Sequence, residues 1–121
     1  MTDLTNYGEN AAADALLGTG TFYVSLHTGD PGETGASNEL AAANGYAREG
    51  DTFTVTGSAA ANDSELTFGP ATADQGTVTH FAIWDAVTAG NCIAKSALTA
   101  SRAWPSGTLT GAAGAFTLTL D

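Results

Sequence analysis

The segment TFYVSLHT (residues 21–28) decides the fold of this chain. Its large apolar residues Phe22, Val24 and Leu26 fall at every second position, which places them on one face of a β-strand. The segment GDPGETG (residues 29–35) follows at once, and its proline and glycines favour a turn because they fix or free the backbone φ angles. We therefore expect a central buried strand that runs into a long irregular loop.

Alternating segments recur along the rest of the chain. A change of parity within residues 77–85 predicts a bulge near His80, and Asn44-Gly45 fits either a hairpin turn or the end of a helical turn. The spacing of the short strands predicts an all-β fold, an antiparallel β-sandwich of Greek-key or jelly-roll-like type. The other predicted strands are 46–49 and 52–56, which form either one long strand or two with a kink at Gly50, and 65–68, 77–85, 92–98, 102–104, 108–110 and 115–120, with a loop at 57–64. Phe22, Val24 and Leu26 are expected to pack against Phe81, Ile83, Phe116 and Leu118.

One short helix is predicted before the first strand. Residues 9–17 are rich in strong helix formers, and the helix is expected to pack through Leu16 and Leu17. Residues 1–8 form a polar arm in which Leu4 and Tyr7 are the large apolar groups. The 121 residues as a whole are expected to form a single domain.

Charge and cysteine content exclude several classes of protein. With 3 basic residues against 13 acidic ones, the net charge is −10, so we expect neither a nucleic-acid partner nor binding to anionic membranes. The single Cys92 cannot form an internal disulfide, which is typical of a protein made in a reducing cytosol. We expect no secretion signal and no membrane-spanning segment.

No constellation of residues predicts a catalytic, cofactor or metal site, so we expect a protein that is not an enzyme. His27, Asp30 and Glu33 match no metal-ligand spacing, and we interpret the two carboxylates as organisers of the turn. No serine lies in a Gly-x-Ser-x-Gly motif, and no carboxylate pair can be nominated. Trp84 is expected in the core. Trp104, beside a proline, is the better candidate for an exposed contact, although burial in the core or between subunits is the first expectation.

Several segments together resemble a family of small tailed-bacteriophage virion proteins. The similarity lies in ALLG (15–18), YVSLHTGDPGETG (23–35), NE (38–39), GYAR (45–48), LTFGPA (66–71) and GTVTH (76–80). The chain departs from that pattern at Gly29, where alanine is usual, and at Phe68-Gly69-Pro70, where the usual pair is Phe-Pro; both departures fall in turns. Members are variously called tail-fibre, minor tail or head-decoration proteins. The resemblance implies a non-enzymatic structural protein, made in the bacterial host cytoplasm, and offers no catalytic residues.

The location expected from this resemblance is the outer surface of the phage head. A chain without heptads, collagen-like repeats or a β-helical shaft cannot form a fibre by itself. We therefore expect a capsid decoration (cement) protein that binds the major capsid protein. The alternative is a minor tail or tail-fibre module, partnered by tail proteins, that binds host receptor carbohydrate through Trp104 and the Asp30 loop.

A homo-oligomer, most plausibly a trimer, is expected in either location. Leu4 and Tyr7 on the arm could latch onto a neighbouring subunit, or they could fold back over their own sandwich. Loops at the strand ends are expected to supply the other contacts. The candidate interface residues are Leu4, Tyr7, Asp30, Pro31 and Trp104.

Overall fold

The computed structural model describes residues 4–120, and within this range the chain forms one helix and nine strands. The elements, in chain order, are α1 (Asn6–Leu17), β1 (Phe22–His27), β2 (Glu49–Asp51), β3 (Phe53–Thr56), β4 (Ala59–Asn62), β5 (Leu66–Ala71), β6 (Thr77–Trp84), β7 (Cys92–Ala103), β8 (Gly107–Gly111) and β9 (Thr117–Thr119). The helix is not long and apolar enough to cross a membrane.

The predicted all-β sandwich is confirmed. A four-stranded sheet has the order β2-β1-β6-β7, and the remaining strands form a three-stranded sheet, β3-β4-β9, and a two-stranded sheet, β5-β8. All the strand pairs are antiparallel. Strands distant in sequence are neighbours in each sheet, as β1 and β6 are, so every sheet ties together separate parts of the chain.

The predicted central strand is β1, which pairs with β2 on one side and with β6 on the other. In the β1–β6 ladder, Val24 lies opposite Ile83 and Leu26 opposite Phe81. The Phe81 ring meets Phe116 edge-on, with the ring centroids 5.0 Å apart. These contacts confirm the predicted core around β1, with Phe22 and Leu118 half-buried at its margin.

The helix begins earlier than predicted. Thr5 is its N-cap, and the Thr5 hydroxyl accepts a hydrogen bond from the Gly8 backbone N–H at 3.2 Å, so the helix starts at Asn6 rather than at residue 9. Tyr7 therefore belongs to the first helical turn and not to an arm. Residues 1–3 of the predicted arm lie outside the described residues. Leu17 is fully buried, whereas Leu16 is 39% exposed, so only one of the two leucines anchors the helix.

Four strands differ clearly from the sequence prediction. β2 comprises Glu49–Asp51, so most of the predicted strand 46–49 lies outside it, because Gly50 and Asp51 rather than residues 46–48 continue the ladder with β1. β4 occupies part of the predicted 57–64 loop, because its alanines fit between β3 and β9, where Ala60 is 1% exposed. β5 continues through Gly69-Pro70 to Ala71. β7 is one strand of 12 residues, where two were predicted.

The predicted irregularity near His80 is confirmed, and the extra residues lie on β7. Val78 of β6 is opposite Arg102 of β7, whereas His80 is opposite Ala97. A step of two residues along β6 therefore corresponds to a step of five residues along β7. Residues 98–101 leave the regular ladder, and we call this segment the β7 bulge.

Candidate functional site

The five predicted interface residues do not form one surface. Leu4 and Tyr7 are 55% and 83% exposed at the start of α1. Asp30 is exposed, but its neighbour Pro31 is fully buried. Trp104 is 1% exposed, and its indole Nε1–H donates to the Gly107 carbonyl oxygen at 2.8 Å. The expectation that Trp104 makes an exposed contact is wrong, because its polar edge and its ring are both satisfied inside the domain; its burial in the core is confirmed.

Asp30 organises the turn that follows β1. Its carboxylate Oδ1 accepts hydrogen bonds from the Gly32 N–H at 2.9 Å and from the Lys95 ammonium at 2.7 Å. The hydrogen bond from Lys95, together with the one from Gly32, lowers the pKa of Asp30 below its ordinary value. The Asn38 amide donates to the Asp30 carbonyl oxygen and closes the turn from the other side. The geometry is that of an Asx turn braced by one exposed ion pair.

His27, at the end of β1, fixes the same loop from inside the protein. His27 Nδ1–H donates to the Ser37 carbonyl oxygen at 2.8 Å, because a carbonyl oxygen can only accept. Burial lowers the pKa of His27, which favours the neutral imidazole. In the neutral ring Nε2 is an acceptor, so the Ser25 hydroxyl donates to it at 2.7 Å and accepts from the Trp84 indole N–H.

Arg48 joins the long loop to the turn between β6 and β7. Its guanidinium makes two parallel hydrogen bonds of 2.9 Å to the Glu39 carboxylate. It also donates to the carbonyl oxygens of Ala86, at 3.2 Å, and Ala89, at 2.9 Å. The guanidinium carbon lies 3.8 Å from the centre of the Trp84 ring, a cation–π arrangement. One side chain therefore holds three separate pieces of chain together.

Tyr46 completes this network. Its hydroxyl donates to Glu39 at 2.7 Å and accepts a hydrogen bond from the Leu26 N–H at 3.1 Å. Burial and the adjacent Glu39 raise the pKa of Tyr46. Burial alone would raise the pKa of Glu39, but the hydrogen bonds from Arg48 and Tyr46 outweigh it and lower that pKa. Within residues 4–120, no buried side-chain polar atom lacks a hydrogen-bond partner.

These contacts shape a cavity of about 230 Å³, which lies between the long loop and the β6–β7 turn. Val87, on that turn, is 52% exposed at the cavity, and Thr88 and Ala89 beside it are exposed too. We call residues 29–48 and 85–91 together the loop end. The cavity at the loop end is lined by Glu39, Leu40, Ala42, Tyr46, Ala47, Arg48, Val87, Thr88 and Ala89.

The polar side chains of the loop-end network are engaged with partners inside the domain. Both ring nitrogens of His27 are engaged in hydrogen bonds, and Asp30 is paired with Lys95. Among residues 4–120, no three histidine, cysteine or acidic side chains lie close enough together to hold a metal ion. Asp30 organises its turn, as the sequence interpretation held for it.

The sequence analysis included Arg48 in the GYAR segment but predicted no structural or functional role for it. The signal that could have found it is scarcity, because the chain has only three basic residues in a strongly acidic composition. A cation retained in such a composition is a candidate for a fixed ion pair.

Comparison with known proteins supports a phage origin. No curated protein matches the chain. The family described as "Podophage GP4 fiber I protein gp80" matches residues 3–119, which is nearly the whole chain. This match confirms the expected kinship with tailed-phage virion proteins at the level of the family. The chain belongs to the podophage fiber I protein gp80 family and is a structural protein of the phage virion.

Proposed function

We propose that this protein is a module of the podophage fibre and that its loop end is the surface that contacts the host cell. The observation that carries the proposal is the cavity of about 230 Å³ built at the loop end of a protein whose family is described as a fibre protein. Fibre location was the alternative in the sequence interpretation, and the family description favours it over head decoration. Trp104 is buried and cannot make the contact expected of it, so we assign that contact to the loop end.

The chemistry of the loop end fits host receptor carbohydrate. Sugars present hydroxyl groups beside apolar ring faces, and the cavity combines the Glu39 carboxylate and the Thr88 hydroxyl with the apolar Val87 and Leu40. The Glu39–Arg48 pair holds these loops in place before any ligand arrives, which reduces the entropy cost of binding. A net charge of −10 disfavours acidic glycans by repulsion. We therefore propose a neutral or amine-bearing glycan as the ligand.

Capsid decoration is the second candidate. It is favoured by the compactness of the described residues, whose helix has 12 residues and whose strands lie in short sheets. None of these elements, within residues 4–120, is a coiled-coil or β-helical shaft. A module of this shape could sit on a fibre built by other chains, or it could coat the head through the major capsid protein.

The location is tested by labelling virions with an antibody against this protein and imaging them. The proposal expects label on the tail fibres, at a few copies per particle. Label spread over the head, at many copies per particle, would replace it with the decoration function.

The contact surface is tested with the purified protein as a competitor of phage adsorption. We expect the wild-type protein to slow adsorption and Val87→Asp to lose this effect, because a charge at the cavity rim disturbs the apolar wall. Thr108→Asp, an equally exposed change on β8, is the matched control and should compete like the wild type. Equal competition by Val87→Asp and the wild type would overturn the assignment of the loop end.

A further inference from the structure

An apolar cleft lined by none of the loop-end residues opens between the β7 bulge and β8. Its volume is about 250 Å³. Core side chains form its floor, including Leu26, Phe68 and Phe116, each at most 5% exposed. Half-buried Leu98 and Leu109 are its more accessible apolar lining. The β7 bulge lies at the opening, where its residues have left the ladder with β6.

The cleft also has a distinct charge. Arg102 is its one charged lining residue, so no carboxylate faces it. Arg48 is paired with Glu39 and Lys95 with Asp30, whereas Arg102 makes no salt bridge with any residue of 4–120. The cleft thus presents an apolar floor beside an available positive charge.

The start of α1 has the complementary properties. Leu4 and Tyr7 are two of the four large apolar side chains exposed in the described residues. Leu4 lies just before the Thr5 N-cap and Tyr7 in the first helical turn, so both are exposed at the same end of α1. The charged residues of the helix are acidic; Glu9 is 8% exposed, and Asp14 is the exposed one. This end of the chain therefore offers two apolar groups on a helix whose exposed charge is negative.

We propose that Leu4 and Tyr7 of one copy of this chain insert into the cleft of a second copy, with the acidic helix facing Arg102. The two surfaces match in polarity and are opposite in charge. A cleft of about 250 Å³ with an apolar floor has room for one or two inserted side chains. Leu4 and Tyr7 are exposed in their own copy, so they do not fill their own cleft.

The contact is heterologous, because helix and cleft are different surfaces of the same chain. Such contacts form a ring when the rotation between copies closes, and the trimer expected from the sequence is one ring that closes in this way. This inference is independent of the proposed function, since a fibre module and a head protein could both assemble by it. Loss of the contact would leave the loop-end cavity intact.

The first test is sedimentation velocity of the full chain over a range of concentrations. The wild type is expected to form a defined oligomer, and Tyr7→Ser is expected to raise the dissociation constant at least about tenfold, as for a buried aromatic anchor. Leu16→Ala is the matched control, since Leu16 is exposed on the same helix and takes no part in the contact. A monomeric wild type, or an oligomer unaffected by Tyr7→Ser, would overturn the proposal.

A mixing experiment distinguishes this contact from any other self-association. Thr99→Arg adds bulk and charge to an exposed residue that lines the cleft, and it should weaken self-assembly at least as much as Tyr7→Ser does. The Tyr7→Ser copy retains an intact cleft, and the Thr99→Arg copy retains an intact helix. Mixed together, the two variants should form a one-to-one dimer and nothing larger. Failure to form this dimer, with both variants folded by circular dichroism, would contradict the proposal.

Discussion

The loop end adjoins the start of β7 and the apolar cleft adjoins its bulge, but the two regions differ in how their side chains are satisfied. At the loop end, every side chain in the network has its partners, and Arg48 is 10% exposed with four hydrogen bonds and a ring beneath it. At the cleft, Arg102 has no carboxylate partner among residues 4–120, and half-buried apolar side chains line the opening. The comparison teaches that the polar network of the loop end is satisfied within one chain, whereas the cleft leaves a charge and an apolar surface available for the contact with a second copy that we propose.

The largest effect is expected where the two regions meet. The Leu26 N–H donates to Tyr46 in the loop-end network, and the Leu26 side chain reaches the cleft. Leu26→Ala should lower the free energy of unfolding by about 2–5 kcal/mol, because it removes buried methyl groups from a packed core. Chemical denaturation measures this loss. A change below about 1 kcal/mol would show that β1 is peripheral to the core.

The next largest effect is a difference in unfolding free energy between variants of Arg48 and Arg102. Arg48→Ala should cost about 3 kcal/mol of unfolding free energy, because it leaves Glu39 half-buried without its partner and two carbonyl oxygens without donors. Arg102→Ala is the matched change at the cleft and should stay within about 0.5 kcal/mol. Chemical denaturation measures both losses. Equal losses of unfolding free energy would show that Arg48 at the loop end is no better anchored than Arg102 at the cleft.

A smaller effect tests how tightly the long loop docks. Gly35 has φ +77°, and a Cβ placed there would lie 2.5 Å from the Cβ and the sulfur of Cys92. Gly35→Ala should cost about 2–3 kcal/mol, from the left-handed backbone and the overlap together. Gly114 has a similar φ, +82°, with nothing near its Cβ position, so Gly114→Ala should cost only about 1 kcal/mol. If the two variants unfold at the same denaturant concentration, the loop does not pack as described.

The smallest effect is a dependence of stability on pH. Because burial lowers the pKa of His27, the unfolded chain binds a proton near pH 6.5 that the folded chain does not. Stability should therefore be full above pH 6.5 and fall as the pH drops below it. The lowered pKa of Glu39 contributes stability that is lost only at lower pH, as the pH falls through that pKa, and the raised pKa of Glu49 acts in the opposite sense.

The measurement is the denaturation midpoint from pH 7.5 to 5. His27→Asn keeps a side-chain donor for Ser37 but cannot titrate, so its midpoint should change less over this range than that of the wild type. Parallel curves for the two proteins would show that His27 does not sense pH.

The sequence predicted those strands whose own apolar residues alternate. Apolar residues alternate in β1 and β6, and the predicted bounds of both strands differ from the observed bounds by at most one residue at each end. β4 was missed because alanine has little preference for strands, and only its neighbours β3 and β9 create the need for small side chains there. Thr5 was missed as a cap because the glycine at position 8 weakens the helical pattern around it.

The surfaces were harder to predict than the strands. Arg48 lies 38 and 41 residues away from the carbonyl groups that it binds, and no local pattern indicates such a partnership. The cleft depends on the β7 bulge, which is a property of the register between two strands. Leu4 and Tyr7 were identified as candidate contacts from their isolation alone, and the structure adds the surface that they could fill.

The β7 bulge has a consequence for the solubility of many copies held close together. β7 is a 12-residue edge strand, and an uninterrupted edge of that length is a template on which other chains add strands without limit. The bulge breaks the row of backbone donors and acceptors along this edge. Growth of a continuous sheet from one copy to the next is therefore opposed by backbone geometry. Copies of the protein can meet at this edge without seeding an aggregate.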